Sequence, residues 1–285
     1  MPYQFQFGIH ELTVLIMGIA TILCFGIGFL FFFKQSGHKW ANRSFGGLLL
    51  LGGATQLHYL FDFSGLFADY PNWQFRPYYY TLWLPVLLFF YIKLTLYPRY
   101  KPRVTDLKHL ALPIGQGLYF LLMWLVPEIR HEDGRWFYSP FYGGFEQALF
   151  LFGVPAYLVF SFQYFRRSVS PSRSGKLSAT SRIFSGQALN RTQWYVRQLM
   201  RGTLVFWSIY AIVALLDFFA FKFFGKDLRD AELYAAAGAL SFSGLLYWWC
   251  TYGFQVLIWG RNLRVGWQRK LRRHQARRVS RSGSS

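Results

Sequence analysis

Residues 12–33 read LTVLIMGIATILCFGIGFLFFF, an apolar run without a single charged side chain. A bilayer core about 30 Å thick needs roughly 20 such residues in helical form, so this stretch predicts a membrane helix. It does not read as a cleaved leader. Residues 1–11 contain no Lys or Arg, the run outlasts an ordinary leader core, and no small-x-small pattern closes it. Six more stretches follow the same logic: 45–60 (extending to 67), 79–97, 109–126, 145–165, 203–224 and 233–259. The second is interrupted by Gln56, His58 and Asp62. None alternates as a barrel strand would, so backbone groups that lipid cannot hydrate must be satisfied inside helices. The predicted fold class is all-α: a polytopic membrane protein, a seven-transmembrane-helix bundle.

Composition agrees with this reading. Of 285 residues, 53% are hydrophobic and 22% aromatic, while only 15% are charged. Soluble domains carry roughly 25% charged residues, and disordered chains lack this much apolar surface. Cys24 and Cys250 both lie inside apolar runs. Neither a disulfide framework nor a cysteine zinc site is therefore expected.

The net charge of +19 is distributed by side. The connections after the first, third and fifth stretches, together with the tail, hold 24 of the 31 Lys and Arg. The other loops hold six, and Lys93 lies near the inner end of the third stretch, where it can snorkel. Acids show the opposite bias, with Asp106 alone on the basic side. The positive-inside rule then places the N-terminus outside and the C-terminus in the cytoplasm. Orientation accounts for the charge without specific nucleic-acid binding. Two domains are expected: residues 1–260 as the membrane domain, with a basic cytoplasmic loop at 166–201, and 261–285 as a basic, partly disordered tail. Residues 187–200 of the loop suit a basic amphipathic helix on an anionic inner leaflet. Arg166, Arg167, Arg191, Arg197, Arg269, Arg272 and Arg273 are the residues expected to meet that leaflet or a cytoplasmic protein partner.

Outer aromatics stand before two of the stretches: Trp73 and Tyr78–Tyr80, then Trp136, Phe137, Tyr138, Phe141 and Tyr142. They read either as an interfacial belt or as a lid over the bundle. Pro85 and Pro155 are expected to kink their helices. Glycines 18, 26, 28, 46, 47, 52 and 53 would let the first two helices approach closely.

Ionisable groups within apolar spans are the default functional suspects. His58 and Asp62 are four apart and share a helix face. Asp217 interrupts the sixth stretch, and its expected companions are His58, Gln56, Tyr59 and Tyr210. These residues form either a ligand or proton site, or a structural polar cluster between helices. Glu146 reads more simply as a carboxylate at a helix N-terminus. Cofactor and enzyme classes find little footing. No lysine stands near the middle of the last span for a retinal Schiff base, and His58 is the one histidine well inside a span. No H-x-x-x-H or H-E-x-x-H pattern occurs. Ser243-Gly244 is more simply a helix-packing pair than a protease serine. The expectation is a protein without catalytic residues, metal or cofactor.

Several segments together resemble the membrane-embedded region of membrane-bound AraC-type transcriptional regulators. They are LHYLFDFSGL at 57–66, PVLLFFYIK at 85–93, TDLKHLALP at 105–113, Phe184-Ser185 with Trp194-Tyr-Val-Arg197, and Tyr252-Gly-Phe-Gln255. The resemblance covers residues 10–260 and implies about seven helices in a bacterial inner membrane. That family follows its helices with a helix-turn-helix domain of about 100 residues, which the residues after Trp259 do not supply. The resemblance therefore implies a sensor-like module without the usual output. The expected function is a non-enzymatic sensor or signalling module that binds a small ligand at His58, Asp62, Asp217, Gln56 and Tyr59. It would signal through its basic cytoplasmic segments. The alternatives are an accessory or scaffold subunit of a membrane complex, and a small proton-linked transporter.

Overall fold

The computed structural model of the chain describes residues 8–35, 37–100, 102–126, 140–169, 179–226, 228 and 231–282; side chains are described for these except at 75, 140–144, 169, 179–191 and 259–282. Every regular element among the described residues is helical. The α-helices are α1 (Ile9–Phe33), α2 (Lys39–Phe63), a short α3 (Leu66–Asp69), α4 (Trp83–Leu96), α5 (Ala111–Leu125), α6 (Pro140–Val169), α7 (Ala179–Phe224) and α8 (Glu232–Ser282). Two 3₁₀ segments, Pro71–Phe75 and Val104–Leu110, lead toward α4 and α5.

By length and composition three helices are fit to cross a membrane, at Ile9–Phe33, Phe145–Ser168 and Thr192–Phe224, which makes this a membrane protein. Their outer faces are hydrocarbon-like: Leu15, Ile22, Phe152, Val159, Ile212 and Phe218 are all exposed. The last of the three carries least of the packing, with 6% of its apolar window buried. It therefore lies at the margin of the bundle. At about 1.5 Å per residue, α4 and α5 are about 21–22 Å long, less than a bilayer core.

Helix α4 is short because it is interior. Ten of its fourteen residues, from Leu84 to Leu96, are buried. A helix apolar on all sides belongs inside a protein, and α4 packs against α2, α6 and α7. Around it α1 packs on α2 and α8, while α7 packs on α6 and α8. The core centres on Phe45, whose ring lies 4.7 Å from Phe31, 4.6 Å from Tyr91 and 5.6 Å from Tyr252. The Tyr91 and Tyr252 hydroxyls close this layer at 2.9 Å. Cys24 and Cys250, buried on α1 and α8, bring their sulfurs to 3.5 Å.

Several boundaries differ from the sequence expectation. Pro85 does not kink α4: it occupies the first turn, where the missing N–H has no intrahelical partner to lose. Pro155 does sit inside α6. Residues 187–200 are not a separate surface helix but continue into α7, with Val196, Leu199 and Met200 buried and Trp194 exposed. The segment expected as a partly disordered tail continues α8 as helix to Ser282; Lys and Arg are good helix formers. Of the outer aromatics, Trp136, Phe137 and Tyr138 lie outside the described residues, as do the side chains of Phe141 and Tyr142.

Candidate functional site

The C-terminal end of α2 is roofed by its own continuation. Gly65, at φ +77°, takes the left-handed conformation that glycine adopts without strain and turns the chain back. Residues 66–80 then fold over the helix end. Phe61 meets Phe67, Trp73 and Tyr78, with centroids 6.0–6.2 Å apart, and the Arg76 guanidinium covers the Trp73 ring at 4.4 Å. His58 is ringed by Phe67, Tyr78 and Tyr79 at 5.0–5.8 Å. Of the two sequence readings for this first group of aromatics, this arrangement is a lid.

Beneath the lid, polar groups join α2, α5 and α6 to the segment that leads into α4. Tyr59 and Tyr79 share a hydroxyl hydrogen bond of 2.7 Å. Tyr80 N–H donates to Thr55 Oγ1 at 2.9 Å, tying the lead-in of α4 to α2. Thr81 and Gln116 both donate to Glu146 Oε1. Gln116 also donates to Thr81 Oγ1 at 3.0 Å, and its own carbonyl accepts from Leu82 N–H at 3.1 Å. Thr81, Gln116 and Glu146 are buried, and both donors to the carboxylate, the Thr81 hydroxyl and the Gln116 amide, are neutral. One turn below Glu146 on α6, Phe150 meets Tyr210 and Phe242, and Phe242 in turn meets Tyr59 at 5.3 Å.

Gln56 carries the cluster to α8. Its Nε2 donates to Ser243 Oγ at 2.9 Å, while the Ser243 hydroxyl donates to Ala239 O at 2.8 Å. Because the serine proton is spent on its own helix, the amide must present its NH₂ to the serine and turn its carbonyl away. That carbonyl, Gln56 Oε1, and His58 Nδ1 are buried and have no hydrogen-bond partner among the described residues. A buried acceptor without a donor carries an uncompensated desolvation cost. Two buried polar atoms of α2 thus have open valences, the His58 Nδ1 beneath the aromatic lid and the Gln56 carbonyl toward α8.

The expected site residues separate into two groups. His58 and Tyr59 come together under the lid with Tyr79, while Gln56, two residues earlier on α2, faces Ser243 of α8. Asp62 is exposed at the last turn of α2. Asp217 sits near the end of α7, where its Oδ1 accepts from Leu228 N–H at 3.3 Å and ties down the turn into α8. Thr81 and Gln116 join this cluster without having been singled out in the sequence, and Glu146, expected as a carboxylate at a helix N-terminus, stands instead in the second turn of α6, which begins at Pro140. Gln116 was detectable as an amide inside an apolar span, since a buried amide needs partners as surely as a buried charge does. Of the basic residues, Arg166, Arg167 and Arg197 are exposed; the side chains of Arg191, Arg269, Arg272 and Arg273 lie outside the described residues. No three His, Cys, Asp or Glu side chains among the described residues gather as a metal site would require.

Compared with protein-family models, curated proteins and solved structures, the chain matches none of them.

Proposed function

We propose that this chain is a non-enzymatic sensor module of a bacterial inner membrane, a seven-helix bundle with its N-terminus outside and its C-terminus in the cytoplasm. It binds a small ligand beneath the outer lid at Gln56, His58, Tyr59 and Glu146. It passes the bound state along α8 to a protein partner on the cytoplasmic side. One observation carries this reading: Gln56 reaches from the lidded cluster to Ser243 of α8, and that helix is continuous to Ser282. The asymmetric charge supports the orientation, and the resemblance to AraC-type membrane regions supports a sensory role. The test is hydrogen–deuterium exchange on the full chain in nanodiscs, comparing wild type with Gln56→Leu. A relay changes amide protection within 261–282 as well as near residue 56. A change confined to the neighbourhood of residue 56 refutes it.

A second reading, an accessory subunit of a larger complex, has its own support in α7. Phe218, Phe221, Phe223 and Phe224 are all exposed on that marginal helix. Stoichiometric recovery of another membrane protein in mild detergent, lost when these rings are replaced by Ala, would favour it. The transporter reading draws less support, because Asp217 serves the α7–α8 turn.

A further inference from the structure

On the basic side of the bundle, the chain leaves α4 through Leu96, Tyr97, Pro98, Arg99 and Tyr100, which line a shallow open groove of about 510 Å³. One wall is fixed by an ion pair. Lys93 Nζ lies 3.0 Å from Asp106 Oδ1 and 4.0 Å from the centre of the Tyr100 ring. Tyr100 OH donates to Asp106 Oδ2 at 2.6 Å, and Arg103 N–H donates to the same oxygen at 2.8 Å. The opposite wall is tied to α6 by Tyr97 OH, which donates to Tyr164 O at 3.1 Å. Arg167, at the end of α6, lies within electrostatic reach of Tyr97.

Charge and exposure at this groove do not balance internally. Asp106 is the one acid on the basic side of the sequence, and its oxygens are already engaged by Lys93, Tyr100 and the Arg103 amide. Arg99 and Arg167 are exposed beside the groove, and among the described residues no carboxylate pairs with either of them. The adjoining 3₁₀ segment exposes Val104 (81%) and Leu107 (57%) between Arg103 and Lys108. Exposed apolar side chains interleaved with cations mark the depth at which acyl chains meet headgroups. An occupant must therefore be anionic at one end and apolar at the other.

We propose that this groove is a binding site for one anionic phospholipid, its phosphate held by Arg99 and Arg167 and its acyl chain laid along Leu96, Tyr97 and Leu107. Basic recesses between helices on the cytoplasmic side are suited to such headgroups. The site is separate from the lidded cluster and does not depend on its function.

The full chain, purified in detergent, is titrated by native mass spectrometry with phosphatidylglycerol, with phosphatidylcholine of the same chain length, and with inorganic phosphate. Phosphatidylglycerol is expected to be retained in preference, with each arginine contributing about fivefold. Arg99→Gln with Arg167→Gln removes that preference, Arg99→Lys keeps most of it, and Lys39→Gln with Arg43→Gln on the neighbouring basic connection leaves it intact. Equal retention of the two lipids overturns the proposal, as does undiminished phosphatidylglycerol binding in the Arg99/Arg167 variant. Inorganic phosphate displacing the lipid at comparable concentration also overturns it, since the site would then be one for a soluble anion.

Discussion

Gln56 and Ser243, 187 positions apart in sequence, meet at 2.9 Å in the interior between α2 and α8. The serine proton is committed to Ala239 O, so the bond has one direction. Ser243→Ala leaves the Gln56 NH₂ without a partner beside a carbonyl that already lacks one. Interhelical hydrogen bonds in membrane proteins are worth about 0.6–2 kcal/mol. The variant should unfold earlier in detergent by a margin near the middle of that range. An unchanged thermal midpoint would mean that the bond contributes nothing.

The Lys93–Asp106 pair predicts a pH dependence. Burial alone would raise the Asp106 pKa from its ordinary 3.8. The Arg103 N–H, the Tyr100 hydroxyl and the Lys93 ammonium outweigh that effect and hold it at about 2. A folded-state pKa below the unfolded one stabilises the fold once the unfolded chain is ionised. The contribution is complete above about pH 4 and vanishes as pH falls through about 2. Near neutrality Asp106→Asn should cost about 3 kcal/mol, the lower end for a broken buried pair. The gap between variant and wild type should narrow in unfolding experiments run from pH 5 down to 2.5. A gap that stays constant over that interval would contradict the assignment.

The glycines of α1 and α2 are not equivalent. A Cβ at Gly46 would stand 2.9 Å from Gly28 O and 3.1 Å from Phe32 N, backbone atoms that cannot swing aside. One at Gly26 would meet nothing within 4 Å. Gly46→Ala is therefore expected to cost about 1–3 kcal/mol through overpacking. Gly26→Ala should be neutral or stabilising by up to about 1 kcal/mol, through helix propensity. Thermal stability in one detergent decides between them, and equal effects would remove the close α1–α2 approach.

Cys24 and Cys250 test the α1–α8 packing. Their sulfurs need to close from 3.5 Å to about 2.05 Å to bond. Treatment with copper–phenanthroline, in which two copper(II) ions each take one electron and the two thiol protons pass to solvent, should yield one intramolecular disulfide, read by mass spectrometry of an unreduced digest. Reaction should be slow, because the oxidant must reach sulfurs buried between α1 and α8. Complete alkylation of both cysteines after prolonged oxidation and unfolding would place the two helices further apart.

How far the sequence could be read depends on which property each residue exposes locally. Runs such as 12–33 declare a helix because nothing in them can be hydrated. The same apolarity cannot say whether a helix faces lipid or protein, so the sequence does not show that α4 is interior, nor that Pro85 stands in its first turn rather than at a kink. Arg191 and Arg197 make residues 187–200 read as a separate amphipathic helix within a basic loop, yet a membrane helix that continues past its apolar span can carry them. At the site, a search for ionisable groups reached His58 and its neighbours Gln56 and Tyr59. It also selected Asp62 and Asp217, which lie at helix ends. Thr81 and Gln116 carry no charge, and their role emerges only when α4, α5 and α6 converge on Glu146.

The unbroken course of α8 also has a mechanical consequence. From Ser243 to Ser282 its axis runs for about 58 Å. A tilt of about 5° about the Gln56 contact would sweep the far end through roughly 5 Å, close to the pitch of one helical turn. In the proposed relay, α8 would act as a short arm against a long one, so that a small shift at the Gln56 contact would become, at the far end, a displacement of about one helical turn.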